Sequence, residues 1–389
     1  MKQLAIDMLE KNIIPFWKSM RDNKHGGFFG LLDIDLNLYP EADKGCILNS
    51  RILWFFSEAA RVLKRADLLE DACHAYSFLT QHCIDKTHGG VYWSVTYDGQ
   101  PADMTKHTYN QAFAIYALSA YFEASGDRNA LDLANNLFEM IEKRCTDANG
   151  YGEAYTRAFL PESNEKLSEN GVIADKTMNT LLHVFEAYSG LYRATKNPDV
   201  AEKMSRILDT FVDKVYNPKL KRQEVFFDAG WNSLIDLTSY GHDIESSWLI
   251  EWGCGMLGDE SLSKRVSEIC SALAESVYDR AYRENSLRNE CEHGVEDEKR
   301  IWWVQAEAVV GFLNMASKHP MQKKYLQAVV GILGFIGEKI VDKRPGSEWL
   351  SEVMPDGSHT GNRKPIVEEW KCPYHNGRMC LEILDRSQE

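Results

Sequence analysis

The segment "SYGHDIESSWL", residues 239–249, places His242 and Glu245 three residues apart at what reads as the start of a helix. A histidine and a carboxylate at that spacing share a helix face. They can cap the helix, hold half of a metal, or form one wall of an active site. Comparable polar openings precede other apolar runs. In chain order they offer Arg51; His107, Tyr109 and Asn110; Asn179 and His183; His242 and Glu245; Trp303, Gln305 and Glu307; and Trp370, Tyr374 and His375. Each group contains a residue able to hydrogen-bond, stack or move a proton. Brought together they make a polar-lined pocket of the kind that takes a small ligand. Capping accounts for polar residues in a first helical turn, where N–H groups need partners. That reading covers Asp43, Asp103 and Asp175, expected as caps or loop ties. It does not cover Asn179, His183 and Glu307, which lie one or two turns inside apolar runs.

The chemistry open to this set narrows by residue type. A zinc helix needs two ligands at i and i+4, as in HExxH; here position 246 is Ser. Three histidines from distant segments can still meet at a metal, but no metal is expected. Phosphate loops and a GxSxG elbow are absent. Proton transfer remains: histidine both takes and gives protons near neutrality. Two such groups on opposite faces of a substrate can remove a proton from one side and return one to the other. Glu245 is expected to orient the His242 imidazole and raise its basicity. Arg51, permanently charged, suits a developing oxyanion. Tyr109, Trp303 and Trp370 suit the apolar faces of sugar rings. Glycoside hydrolysis needs two opposed carboxylates, and only Glu245 and Glu307 qualify, each beside basic or aromatic neighbours. A non-enzymatic helical scaffold has no need of three interior histidines.

The elements that must position these residues repeat. Glycine- and aromatic-rich stretches such as "HGGFFG", "HGGVYWSV" and "NGYGEAY" recur at intervals of about 60 residues, with one of about 75. They predict a turn and a short strand. Each is followed by a polar opening and a helical apolar run, then by a second helical segment. Loop, helix, helix repeats six times, and units that cannot cover their own apolar surface must stack. Runs such as "AFAIYALSAYF" are apolar nearly all round, so that helix is buried on both sides. Closure into a double ring is therefore expected over an open solenoid: one all-α domain spanning 1–389.

Composition agrees. Hydrophobic residues make up 44% of the 389, which allows a large core, and the ten Trp and seventeen Tyr suit sugar-stacking clefts. No apolar run reaches the roughly 18 residues of a membrane span. "MKQLAIDMLEKNIIPFW" has helical spacing without signal-peptide features and reads as a first structural helix. Nine scattered cysteines, with Cys73, Cys145 and Cys270 in helical patterns, read as reduced core thiols of a cytosolic protein. The net charge of −14 and the lack of a basic patch argue against a nucleic-acid partner.

The strings "ADKTMNTLLHVFEAY", "SYGHDIESSWL", "WWVQAEAVVGF" and "WKCPYHNGR", with "ADKGCILNSRILWFFSEA" and "HTYNQAFAIYALS", resemble the signature segments of the N-acylglucosamine 2-epimerase family. The similarity runs essentially end to end. The "SYGHDIE" and "CPYHNGR" forms favour the branch acting on cellobiose. The resemblance implies an (α/α)6 barrel and epimerisation at C2 of the reducing-end glucose of a β-1,4-linked disaccharide, without cofactor or metal. It implies ring opening, removal of the C2 proton to a cis-enediolate and reprotonation from the other face. Carried over, His242 and His375 are the acid/base pair, and Glu245 supports His242. His183 and Asn179 hold the oxygens near C1 to C3, and Arg51 stabilises the enediolate. Tyr109, Trp303 and Trp370 line the sugar subsites with Glu307 nearby. A monomer with a place in mannan breakdown is the accompanying expectation. The sequence leaves open N-acylglucosamine epimerisation and aldose–ketose isomerisation, which reprotonates the same intermediate at C1.

Overall fold

The expected loop and helix pairs are present, and they close on themselves. The computed structural model describes residues 1–168 and 170–386. Its helices are α1 (Lys2–Met8), α2 (Ile14–Ser19), α3 (Cys46–Leu63), α4 (Ala66–Phe78), α5 (Thr108–Ser125), α6 (Arg128–Arg144), α7 (Met178–Thr195), α8 (Pro198–Thr210), α9 (Tyr240–Gly255), α10 (Glu260–Ala281), α11 (Trp302–Lys318), α12 (Lys323–Phe335) and α13 (Tyr374–Asp385). The odd-numbered helices from α3 to α13 pack each on the next, and α13 packs back on α3. Each also packs on one outer helix: α4, α6, α8, α10 and α12 in turn, and α1 for α13. This is the (α/α)6 barrel of helix hairpins.

The first helix is thus the outer partner of the last, so the two ends of the chain build one hairpin between them. Buried Glu348 cross-links that closure. It accepts from Trp17 of α2 at 3.2 Å, from Asn376 of α13 at 2.5 Å and from Lys371 at 2.5 Å.

Inner and outer helices differ as their sequences require. In α5 every residue from Thr108 to Tyr121 is buried. Its alanines favour helix and let neighbours approach on both sides. In α6 only Ala130, Leu131, Ala134, Leu137, Phe138 and Ile141 are buried, a single stripe at helical spacing. Burying a Leu or Phe on such a stripe stabilises by about 1.5–3 kcal/mol. Outer helices α6, α8 and α10 carry side-chain caps, from Asp127, Asn197 and Asp259. Inner helices α3, α5, α9, α11 and α13 have none.

Short strands lead into the inner helices and fix their starts at one end of the barrel. Lys44–Gly45, Lys106–His107, Lys176–Thr177, Leu237–Ser239 and Arg300–Ile301 each pair antiparallel with a strand of the following loop. A bridge between Leu32 and Val367 completes the circuit before α13.

The fourth residue of an inner helix then clamps its glycine stretch. Asn49, Gln111, Asp243 and Gln305 accept the N–H groups of Phe28, Val91, Gln223 and Leu287 at 3.1, 2.6, 2.9 and 2.7 Å. Gly27 and Gly90 have φ of 64° and 75°, and a Cβ on either would sit 2.8 Å from the clamping oxygen. That close approach explains the second glycine of each "HGG".

Several sequence expectations change here. Gln305, and Asn110 donating to the Tyr92 carbonyl at 2.7 Å, tie loops rather than face a ligand. Of the two readings offered for Asp103 and Asp175 the loop tie holds, since they accept from the Thr105 and Ala229 N–H groups. All nine cysteines are free, but Cys73 is exposed on the outer face of α4 and is not a core thiol. Among the described residues no helix is long and apolar enough to cross a membrane.

Candidate active site

The inner helix starts surround a cavity of about 470 Å³. Tyr109, Asn179, Trp303 and His375 are the second residues of α5, α7, α11 and α13; Arg51, His183 and Glu245 are the sixth of α3, α7 and α9. Positions two and six lie one turn apart on one face, and here that face meets the barrel axis. All seven line the cavity with His242 and Trp370. A groove of about 480 Å³ lies outside, between α6, α8 and Trp231, and no histidine is among its lining. Volume does not choose between the two; the chemistry of the walls does.

Each pocket histidine is held through Nδ1. His375 donates to Glu307 Oε1 at 2.7 Å and His183 to Glu186 Oε2 at 2.8 Å. His242 Nδ1 lies 2.7 Å from Ser239 Oγ. These contacts leave Nε2 for the pocket. Burial pushes the His242 pKa down to about 3, with His183 adding to the shift. Burial, then Arg378, Arg51 and His183, hold His375 well below the usual range. His183 is lowered by burial against the pull of Glu186. All three are neutral imidazoles near pH 7, able to accept a proton.

Two expected roles fail on geometry. Glu245 does not support His242: it accepts from Arg378 Nη2 at 2.5 Å and lies 3.9 Å from His375 Nδ1. The His242–Glu245 spacing permits contact, but Ser239 holds the ring and the guanidinium holds the carboxylate. Glu307, expected near the substrate, does not line the cavity: fully buried behind His375, it accepts from Arg378 at 2.6 Å and Trp248 at 3.1 Å. Tyr374 likewise points away, donating to Glu186 at 2.5 Å. The same three-residue spacing does pair His183 with Glu186.

Arg378 joins three carboxylates, donating also to Glu186 at 2.5 Å. One cation cannot balance three anions in a dry interior, and the carboxyl groups divide accordingly. Burial opposes charge on Glu186, but Arg378, His183 and Tyr374 hold its pKa down to about 2. Burial, then Glu307, pushes Glu245 up to about 8, so it keeps its proton at neutrality. Burial also raises Glu307, against Arg378 and Trp248. Glu245, Glu307 and His375 offer ligand atoms within 4.8 Å of one another, the arrangement of a candidate metal site. The Arg378 guanidinium already lies between the two carboxylates and supplies the positive charge a cation would bring.

Beside this cluster, 4.9 Å from the Tyr374 ring centroid, Arg51 is buried and has no carboxylate partner among the described residues. It donates to the Tyr109 hydroxyl at 2.7 Å, and its guanidinium lies 4.1 Å from the Phe113 ring centroid. A desolvated cation so placed favours negative charge developing in the pocket. Asn179 Oδ1 is buried without a partner and free to accept from a hydroxyl. Trp303 lies between two histidines, 4.9 Å from the His242 ring and 5.4 Å from His375.

Sequence reasoning missed Ser239, Glu186 and Arg378. Glu186 repeats the His-x-x-Glu spacing already noted at His242. Arg378 follows His375 by three residues inside an apolar run, the signal that singled out His183. Ser239 was legible only as a cap.

The model of the N-acylglucosamine 2-epimerase (GlcNAc 2-epimerase) family matches residues 26–375. The chain is 51% identical to the cellobiose 2-epimerase of Eubacterium cellulosolvens, over 98% of each chain. It is 50% identical to that of Ruminococcus albus, over 97% of each. A crystal structure of a sugar epimerase from a ruminal bacterium superposes with a TM-score of 0.97 at 48% identity, covering 99% of this chain and 98% of that one. The chain belongs to the N-acylglucosamine 2-epimerase family.

Proposed function

We propose that this protein is a cellobiose 2-epimerase, interconverting glucose and mannose at the reducing end of β-1,4-linked disaccharides, cellobiose and lactose among them. The observation that carries the reading is the pair His242 and His375: two neutral imidazoles flanking Trp303, His375 buried and His242 partly so, each held through Nδ1, both bordering one cavity. The relatives from Eubacterium cellulosolvens and Ruminococcus albus are cellobiose 2-epimerases.

The chemistry follows from the walls. Ring opening frees the C1 carbonyl and makes the C2 hydrogen acidic. One histidine takes that proton through Nε2, and the C2–H electron pair becomes the enediolate double bond as charge moves to O1. Arg51 faces that charge, while Asn179 and His183 hold neighbouring hydroxyls. The other histidine returns a proton to C2 from the opposite face. When His375 is that donor it holds hydrogen on Nε2, its Nδ1 then accepting from a protonated Glu307, a carboxyl that burial raises; as Nε2 gives its proton to C2, Nδ1 takes the one on Glu307. Tyr109, Trp303 and Trp370 pack on the sugar rings, and Glu307 acts through His375. No resident cofactor or metal enters these steps.

The free cysteines support a reducing cytosolic compartment, and one complete cavity in one chain supports action as a monomer. In reverse, the reaction consumes a disaccharide ending in mannose, which fits a place in mannan breakdown. Incubation with cellobiose, lactose, mannose and N-acetylglucosamine side by side tests the reading. It expects 4-O-β-glucosyl-mannose from cellobiose. Release of free glucose would overturn it in favour of hydrolysis; conversion of N-acetylglucosamine alone would move the protein to the other branch of its family.

A further inference from the structure

We propose that Ser239 is the positioning residue that makes His242 a base, its hydroxyl accepting the Nδ1–H so that the Nε2 lone pair faces the sugar. The inference rests on the epimerase reading and deepens it.

Ser239 stands at the N-cap of α9, where a serine ordinarily accepts a backbone N–H of the first turn. It makes no such bond. Its Oγ lies instead 2.7 Å from His242 Nδ1. Forgoing a cap costs roughly 1 kcal/mol, so the contact is set against local helix stability. The strand Leu237–Ser239 holds the serine in place by pairing with Glu290–Glu292, in the register Ser239 to Glu290. Glu245, which the sequence offers for this task, is committed to Arg378.

The other two pocket histidines show what the contact is for. Each turns Nδ1 to a carboxyl group, Glu186 or Glu307. A carboxylate there fixes the proton on Nδ1 but also favours the charged ring. A neutral hydroxyl accepts the same bond without adding a negative charge. The charged and titratable groups that bear on His242 are His183 from α7, which lowers its pKa, and Glu307 from α11, which raises it. Glu245 of its own helix and Glu290 of the paired strand border the same cavity. Burial outweighs them, and the ring stays neutral.

The proton steps balance. Neutral His242, with hydrogen on Nδ1, takes the C2 proton on Nε2, and the C2–H electron pair stays with the enediolate. The resulting imidazolium keeps its Nδ1–H on Ser239. In reverse it returns the Nε2 proton to C2 and is left in the starting tautomer. An Nδ1 without an acceptor lets the ring settle with hydrogen on Nε2, where it cannot act as a base.

The test compares wild type with Ser239→Ala, Ser239→Thr and Ser239→Asp on cellobiose, reading kcat, KM and the pH dependence of kcat/KM. Ser239→Ala is expected to lower kcat about tenfold or more with KM within about twofold, and Ser239→Thr to recover most of that loss. Ser239→Asp places a carboxylate on Nδ1 and should move the acid limb of kcat/KM upward by about one pH unit or more. A capping role makes the opposite forecast: Asp caps as well as Ser, so its profile would match wild type. Wild-type kcat in Ser239→Ala, or an unmoved acid limb in Ser239→Asp, would overturn the inference. Wild-type protein inert towards cellobiose would overturn the functional reading itself, a separate result.

Discussion

The two walls that carry His242 and His375 are built differently. His375 sits on α13 against a buried cluster of Glu307, Glu245, Glu186, Tyr374 and Arg378, bound together by bonds of 2.5–2.7 Å. His242 sits on α9 against a single hydroxyl, 2.7 Å away. The cluster can store a proton, because three carboxyl groups share one guanidinium. The hydroxyl cannot; it only orients. Under the proposed function one side must hold a proton while the other is empty, and the carboxyl cluster gives the His375 wall a place to keep it.

The comparison can be broken most sharply at the histidines. His242→Asn and His375→Asn should each reduce epimerisation by about 10²–10⁴-fold without unfolding the barrel, as circular dichroism would verify. If one substitution leaves the rate intact, that wall takes no part in proton transfer. Arg378→Met addresses the cluster alone. It leaves charged groups uncompensated in the interior and should cost about 3–5 kcal/mol of stability, read by denaturant unfolding. Ser239→Ala should cost far less stability, because the hydroxyl it removes bonds a neutral ring and strands no charge. Glu307→Gln keeps the shape of the cluster and removes one carboxyl proton site. It should lower kcat roughly tenfold while leaving the unfolding midpoint nearly unchanged; loss of KM alone would return Glu307 to sugar contact.

Smaller effects sharpen the picture. Burial pushes Asp243 and Glu153 up to about 7. A carboxyl whose folded pKa is raised contributes stability that is fully present below its unfolded value and is lost as pH rises through the folded one. This contribution to stability therefore falls between pH 5 and about 8, while His242, His375 and His183, held neutral, contribute in the opposite sense as pH rises to about 6.5. Asp243→Asn, which keeps an oxygen for the Gln223 N–H, should flatten part of that fall, read from the thermal midpoint against pH; an unchanged slope would remove Asp243 from the account. Chelator treatment should leave epimerisation unaltered, since Arg378 supplies the charge between Glu245 and Glu307. Loss of activity on chelation, restored by a metal, would reopen the metal reading.

What the sequence disclosed follows from periodicity. Repeats of loop and helix pair located the inner helices, and positions two and six of those helices placed Arg51, Tyr109, Asn179, His183, Glu245, Trp303 and His375 around one cavity. Periodicity says which face a residue takes. It does not say which of two neighbours a side chain meets, and there the reading failed. His183 and Glu186 meet at a spacing of three residues, whereas His242 and Glu245 do not. The difference lies in Arg378, contributed by α13 more than 130 residues away, which no local pattern reveals. The pairing of the first helix with the last was hidden for the same reason, since it joins the two ends of the chain.

The central claim is that two histidines, one on each wall, divide the proton transfer between them. Early turnover of cellobiose in heavy water tests it most directly, with deuterium at C2 read separately in product and in unreacted substrate. The account predicts deuterium at C2 of the mannose unit formed, while cellobiose recovered at low conversion stays unlabelled. Product without deuterium, or equal labelling of product and recovered cellobiose, would contradict it.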